Sequence, residues 1–375
     1  MIQGVHLTLM IGPGVPVPVP QVVLDSLTQV EVTTSSGRAS GFQMQFTTDI
    51  HSPLQTILLL SGGSLPPLMR TILIATINGV PNVLLDGVIT NVETSPGIDK
   101  GYTTLTITGE DLSAVMNWID FSGFPFPAMP AEARVAVILA KYAFLGIVPL
   151  VIPSILLDVP IPVQEIPRQQ GKDLEYIQSL ADRVGYVFYL DPGPLPGMNV
   201  AYWGPEIRVG APQPALNTNM DAYDNVESLS FTFDAEKKRL PVLMIQEPIS
   251  KALIPIPIPD ISPLNPPLGL IPPLPKHVDF ISETADLNPI QAAVIGLTKA
   301  AKSADAIFAS GSLDVTRYGR ILKARSLVGV RGAGTAFDGL YYVTEVKHKI
   351  KRGEYKQDFK LVRNGLVSTL PVVPA

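Results

Sequence analysis

Apolar and polar residues alternate along Phe42-Gln43-Met44-Gln45-Phe46, the period-two signature of a strand with one buried face. Further β-rich runs at Thr71–Ile77, Val83–Thr94 and Tyr102–Thr108 are separated by the turn-prone Gly79-Val80-Pro81-Asn82 and Ser95-Pro96-Gly97. Residues 21–109 therefore predict about five antiparallel strands, enough for a small barrel. The period then changes. Thr108-Gly109-Glu110-Asp111 has capping-box spacing, with Leu112, Val115, Met116 and Ile119 behind it at helical intervals. A second helix is predicted from Pro130, with Val135, Ile138, Leu139 and Tyr142 as its apolar stripe and Gly146 as its left-handed cap. A third runs over Asp173–Val184 and stops at Gly185, and Tyr186–Leu190 reads as a strand.

Ala222–Phe233 and Leu240–Gln246 carry strand patterns, after which prolines dominate: ten fall between Pro248 and Pro275. The run Ile254-Pro255-Ile256-Pro257-Ile258-Pro259 favours extended polyproline II. Asn288-Pro289 is a helix start, and Ile290, Val294, Leu297, Ala301, Ala304 and Phe308 continue it to about Ser310. The last elements form a hairpin. Tyr342, Thr344, Val346, His348 and Ile350 share one predicted face, Lys351-Arg352-Gly353-Glu354 turns the chain, and Tyr355, Gln357, Phe359 and Leu361 alternate on the return.

Composition adds two constraints. The 375 residues contain 37 prolines, so long helices cannot dominate, and only 16% are charged against 46% hydrophobic, which points to surface buried against partners. A net charge of −5 gives no overall attraction for nucleic acid or anionic membranes, and the absence of cysteine removes disulfides and thiolate chemistry. No Lys or Arg precedes Arg38, so a secretory leader is not expected. Tyr142–Leu157 is uncharged but broken by Pro149 and Pro153, and no membrane span is predicted.

Little catalytic chemistry is legible. No G-x-S-x-G or Walker A pattern occurs, and Gly329-Val330-Arg331-Gly332-Ala333-Gly334 has the wrong spacing for a dinucleotide loop and reads as a hairpin turn. His6, His51, His277 and His348 are dispersed, so no metal site or cofactor is expected, and His348 reads as a cross-strand polar partner. Glu175 and Asp182, like Glu283 and Asp286, fit solvated helix positions. Charge concentrates at the C-terminal hairpin, where Glu345–Arg363 has a net +4. Lys347, Lys349 and Lys351 are candidate contacts to an acidic protein ring; a solvated face with lysine-protected edges is the alternative.

Two segments carry a family resemblance. Gly171-Lys172-Asp173-Leu174-Glu175-Tyr176-Ile177-Gln178-Ser179-Leu180-Ala181-Asp182-Arg183-Val184-Gly185-Tyr186-Val187-Phe188-Tyr189 resembles a signature of phage late-control D proteins. Gly339–Ile350, with Gly353-Glu354-Tyr355 and Phe359–Gly365, is similar to the terminal hairpin of the same baseplate hubs. These are related to the N-terminal hub part of valine-glycine-repeat spike proteins of contractile injection systems. The resemblance implies a β-rich α+β fold: two small antiparallel β-barrels, a helical region between them, and a proline-rich plus helical insertion in the second barrel. The expected segments are 1–110 for the first barrel, 111–205 for the helical region, 206–247 with 312–366 for the split second barrel, 248–311 for the insertion and 367–375 for the tail. It also implies a homotrimer joining a six-fold tail tube to a three-fold spike, with tube or tube-initiator proteins and a lysin-motif adapter as neighbours. The expected location is the cytoplasm during assembly and then a virion or injection-particle baseplate. Because the chain stops at Ala375, the spike is expected to be a separate polypeptide. The proline tract reads as a surface arm packed on its own subunit or, alternatively, as an arm clasping a neighbour or spike, for which Pro255, Pro257 and Pro259 are the candidate contacts. A cell-wall or polysaccharide hydrolase, or an adhesin, on a β-rich scaffold is the alternative, and no catalytic residues are proposed for it.

Overall fold

The computed structural model describes residues 4–49, 68–97, 101–154, 166–246, 253–257, 265–281, 296–297, 300 and 303–370. Its first part contains β1 (Val5–Pro13), β2 (Val17–Pro18), α1 (Gln21–Ser26), β3 (Leu27–Ser35), β4 (Gly41–Asp49), β5 (Met69–Ile77), β6 (Val80–Pro96) and β7 (Tyr102–Asp111). The middle holds α2 (Ala131–Ala140), β8 (Ile147–Val151), α3 (Asp173–Val184), β9 (Tyr186–Pro192) and β10 (Asn199–Pro205). There follow β11 (Gln213–Asn217), β12 (Ser228–Phe233), β13 (Arg239–Gln246), β14 (Leu253–Pro257), β15 (Gly269–Ile271) and β16 (His277–Ile281). The chain closes with β17 (Ile307–Asp314), α4 (Val315–Tyr318), β18 (Leu327–Arg331), β19 (Gly339–Lys351), β20 (Glu354–Arg363) and β21 (Leu366–Ser368).

The fold is β-rich α+β, and its organising feature is one 13-stranded sheet. Its hydrogen-bonded order is β12-β17-β20-β19-β3-β4-β7-β6-β5-β1-β2, with β18 and β11 branching from β19. The strands expected to make two barrels are thus joined edge to edge where β19 pairs antiparallel with β3, from Glu345 opposite Ser35 to Lys351 opposite Gln29. Alternation sets the inner face: Val30, Val32, Phe42, Met44, Phe46, Leu105 and Ile107 are all buried, and one apolar core continues to Val346, Tyr355 and Phe359. A second core packs α2 and α3 on the three-stranded sheet β8-β10-β9 around Trp203, which is fully buried.

The third helix has the bounds expected from its stripe, with Gly185 at φ 73° ending it. Elsewhere the local chemistry shifts the elements. The Thr108 capping box does not start a helix: β7 runs through Asp111, whose carboxylate accepts from the Ser113 N–H and caps a 3-10 helix over Leu112–Asn117. The hairpin expected to turn through Gly79–Asn82 turns on Asn78-Gly79, both with positive φ, and β6 starts at Val80. The second helix stops at Ala140; Gly146, at φ 77°, instead caps a short 3-10 turn, Ala143–Leu145. The strand expected over Ala222–Phe233 starts at Ser228, and Asp221–Tyr223 is a 3-10 turn.

The helix expected to reach Ser310 does not. Ile307–Ser310 belongs to β17, paired with both β12 and β20, so the strand begins ahead of the expected boundary at residue 312; Asn288-Pro289 lies outside the described residues. The stripe residue Phe308 is instead held by strand pairing on both sides, opposite Thr232 of β12 and Val362 of β20. In β19 a bulge between Val343 and Glu345 resets the alternation. Tyr341 and Val343 join Val346 and Ile350 in the main core, whereas Tyr342 packs with Leu340 and Val362 in a separate cluster, so Tyr342 and Val346 do not share a face. Gly332 and Gly334 both have positive φ, as the glycine-rich turn requires.

The continuous core generates a direct expectation. Phe46 is fully buried in this core, so Phe46→Ala should lower unfolding free energy by about 3–5 kcal/mol in urea titration, and a near-neutral result would contradict its place there.

Candidate functional site

The outer face of the sheet is where the hairpin lysines lie; Lys349 sits opposite Lys356 in register, and most of the lysines there find a carboxylate on a neighbouring residue. The Lys347 ammonium sits 2.6 Å from Glu31 on β3, and Lys349 is paired with Asp358 on β20. Lys356 bridges Glu227 and Glu354 at 2.9 and 3.0 Å, and Lys360 meets Glu345 at 2.9 Å. Lys351 lies in register between Gln29 and Glu354 at the end of β19. The local excess of positive charge is therefore compensated in large part by acidic residues from β3, from the residue before β12 and from the hairpin itself. Beside it, Ser228 and Ser230 of β12 make hydroxyl contacts of 3.0 and 3.1 Å with Ser312 and Ser310 of β17.

Of the candidate prolines, Pro255 and Pro257 lie in β14, which pairs with β13 opposite Met244 and Val242; Pro259 lies outside the described residues. The described part of the run, up to Pro257, is a strand in the sheet β14-β13-β16 and not the free polyproline II segment expected. Alternating prolines still allow pairing because the intervening Ile254 and Ile256 keep their N–H groups.

Three arginine clusters, not singled out by sequence, tie the middle region to the sheet. Arg70 on β5 makes a two-pronged pair with Asp86 on β6 at 2.7 and 2.6 Å, both buried, and reaches the Gly197 carbonyl at 3.0 Å. Asn199 on β10 donates to the same carboxylate at 2.8 Å. Arg208 joins Asp305 and Glu206, and Ser36 donates to Glu206 at 3.2 Å. Arg325 donates to the Ser35 carbonyl at 2.8 Å, meets Asp191 at 3.1 Å and lies 3.8 Å over the Tyr189 ring. The available signal was a lone charge inside an apolar strand run, as in Leu68-Met69-Arg70-Thr71-Ile72 and Leu84-Leu85-Asp86-Gly87-Val88: a charge placed there is buried only with a partner.

His348 is a cross-strand polar residue, facing Gln357. Its Nδ1 is 2.8 Å from the Tyr355 hydroxyl and 3.4 Å from the Gln357 amide nitrogen. Both neighbours can donate there, which places the ring proton on Nε2. Burial holds its pKa down to about 4. Gln357 in turn donates to the Leu322 carbonyl and accepts from its N–H, fastening the loop after α4. Glu175 accepts from the Lys172 N–H at the start of α3, and Glu283 and Asp286 lie outside the described residues. Among the described residues, no group of three or more His, Asp or Glu is placed to hold a metal ion, and no helix is long and apolar enough to cross a membrane.

The fold has well-matched counterparts. The chain overlays a tail protein from Neisseria meningitidis MC58 with a TM-score of 0.63, at 13% identity, over 97% of this chain and 98% of that one. A 43 kDa tail protein of prophage MuSo2 from Shewanella oneidensis gives 0.61, at 13% identity, over 96% and 98%. A chain of a Francisella PdpA-VgrG complex gives 0.62 at 11% identity, all of this chain covering 60% of that one. No family model and no curated protein sequence matches. The chain thus shares its fold with these phage tail proteins and with the VgrG-complex chain, in keeping with the two resembling segments.

Two outcomes follow from the buried polar groups. Arg70→Met alone, which leaves Asp86 buried and uncompensated, should cost about 3–5 kcal/mol in denaturant titration, and Arg70→Met with Asp86→Leu should recover most of it. For His348 the folded pKa lies below the unfolded value near 6.5, so its stabilising contribution is complete above pH 6.5 and falls as pH drops toward 4, by about 1.4 kcal/mol per unit. Asp111, whose pKa burial raises, changes stability in the opposite sense, so the comparison is between wild type and His348→Gln: the variant should lose the decline between pH 6.5 and 4, and equal slopes would contradict the assignment.

Proposed function

We propose that this protein is a structural hub of a contractile phage tail or phage-like injection particle, acting as a symmetry adapter rather than an enzyme. The observation that carries this reading is the near end-to-end overlay on two tail proteins, with neither chain leaving more than a few per cent unmatched. The adapter acts as a homotrimer in which each subunit contributes two small barrels. One is built from β1 and β3–β7, the other from β11, β12 and β17–β20, a division supported by similar numbers of strands on either side of the β3–β19 junction. Three subunits then offer six such units to a six-fold tube and a three-fold end to a separately encoded spike. Tube or tube-initiator proteins and a lysin-motif adapter complete the surroundings in the baseplate.

Physical support comes from the surface. Phe144, Val148 and Leu150 are exposed near the edge strand β8, and Leu270, Leu274, Val278 and Phe280 are exposed around β15 and β16. Apolar surface of this kind marks association sites, and a closed three-fold ring would bury it. Lys347, Lys349 and Lys351 on the sheet's outer face, with Pro255, Pro257 and Pro259 of the arm, are the proposed assembly contacts. A charge-compensated face gives register and specificity more than affinity.

Light scattering of the purified chain, alone and mixed with its spike, tests the reading. Three copies of the chain are expected, as three chain masses alone or as three chain masses plus spike in the mixture. A monodisperse monomer in both would contradict it.

A further inference from the structure

We propose that the cleft beside Arg320 and Lys323 docks an acidic segment of a partner protein within the particle, a stretch bearing a carboxylate next to an apolar side chain. The proposal rests on the hub reading for the assembly in which the partner is found. The cleft has a volume of about 540 Å3 and lies where the tip of the β5–β6 hairpin meets the loop after α4 and the start of β11. Ile77, Val80, Pro212 and Pro214 give it apolar walls, no Asp or Glu lines it, and its two charged residues are both cations.

Those cations differ in one respect from four lysines of the hairpin. Lys347, Lys349, Lys356 and Lys360 each have a carboxylate within ion-pair distance, so an incoming acid there competes with an internal partner. Arg320 and Lys323 are exposed and have no carboxylate partner among the described residues. An acidic group arriving between them gains attraction without breaking an existing pair.

The backbone that carries them is already fixed. Gln213 accepts from the Lys323 N–H at 2.8 Å and donates to the Lys323 carbonyl at 2.9 Å. The Tyr318 hydroxyl donates to the Pro214 carbonyl at 2.6 Å, Asn78 reaches the Gly319 carbonyl at 3.3 Å, and Gly319 turns the chain at φ 78°. Docking therefore orders two side chains and no loop, which lowers its entropic cost. The apolar walls favour a protein segment over a nucleic acid backbone: phosphates alone leave the exposed Val80 uncovered, and the chain's net charge is −5.

Site-specific photo-cross-linking in assembled particles tests this, with p-benzoylphenylalanine replacing Val80 and mass spectrometry identifying the linked peptide. The expected product is a peptide of another particle protein with Asp or Glu beside the linked position. Its yield should fall about tenfold when Arg320→Glu and Lys323→Glu are combined, and less steeply with Arg320→Gln and Lys323→Gln, which add no new charge. A peptide without carboxylates, a nucleotide adduct, no intermolecular product, or a yield unaffected by both double variants would overturn the proposal. Absence of the wild-type chain from the particle would overturn the hub reading and this proposal with it; presence of the chain without the product would overturn this proposal alone.

Discussion

Antiparallel pairing of β3 with β19 is the constraint on which the rest of the molecule depends. It joins strands some 310 residues apart in sequence and converts two sets of strands into one sheet over one core. So distant a contact closes a very long loop before it yields any burial, which is why neither edge is left as a short or weak strand: β19 is thirteen residues long and carries a bulge that re-aims its aromatic residues. With the junction made, the outer faces of β3, β19 and β20 present one surface, and Glu31, Lys347, Lys349 and Asp358 fall opposite one another because the register is set by the core on the other side. The charge pattern of that face is thus a consequence of burial beneath it.

The low charge content acquires a structural explanation from the same packing. Several of the few charged residues are internal: Arg70 with Asp86, Arg208 with Asp305, and Arg363, buried against the Ala336 and Asp338 carbonyls and the Tyr341 ring. The first two, with Arg325, lie between the sheet and the middle region, where apolar cores on either side remain separate clusters. Polar clamps fix orientation through geometry, since a two-pronged arginine pair tolerates little displacement. In the proposed ring, fixed orientation between the parts of each subunit is a mechanical requirement.

Much of this architecture was legible in the residues, and the failures have common causes. Phe42, Met44 and Phe46 declared their face, and Asp173–Val184 its full extent, because an unbroken period and a glycine stop leave one solution. The Thr108 capping box and the Phe308 stripe misled because local spacing is compatible with either state, and the deciding factor was a distant strand: β4 and β6 for Thr108, β12 and β20 for Phe308. The hairpin's positive charge was visible, but not its compensation by Glu31 of β3 and by Glu227 just before β12, both far along the chain. The same limit concealed the cleft at Arg320 and Lys323, whose apolar walls come from β5, β6 and the start of β11. Chemistry assembled across a long-range sheet is hidden until register is known.

The hub account joins a fold shared with tail proteins to a surface with apolar patches, a compensated polar face and an uncompensated basic cleft. Its central claim concerns stoichiometry and position, so the most direct measurement is a cryo-electron microscopy map of the purified particle's tail tip. The account predicts three copies of this chain in a closed ring between tube and spike, with six similar strand sets facing the tube. A different copy number, or a location away from that junction, would contradict it.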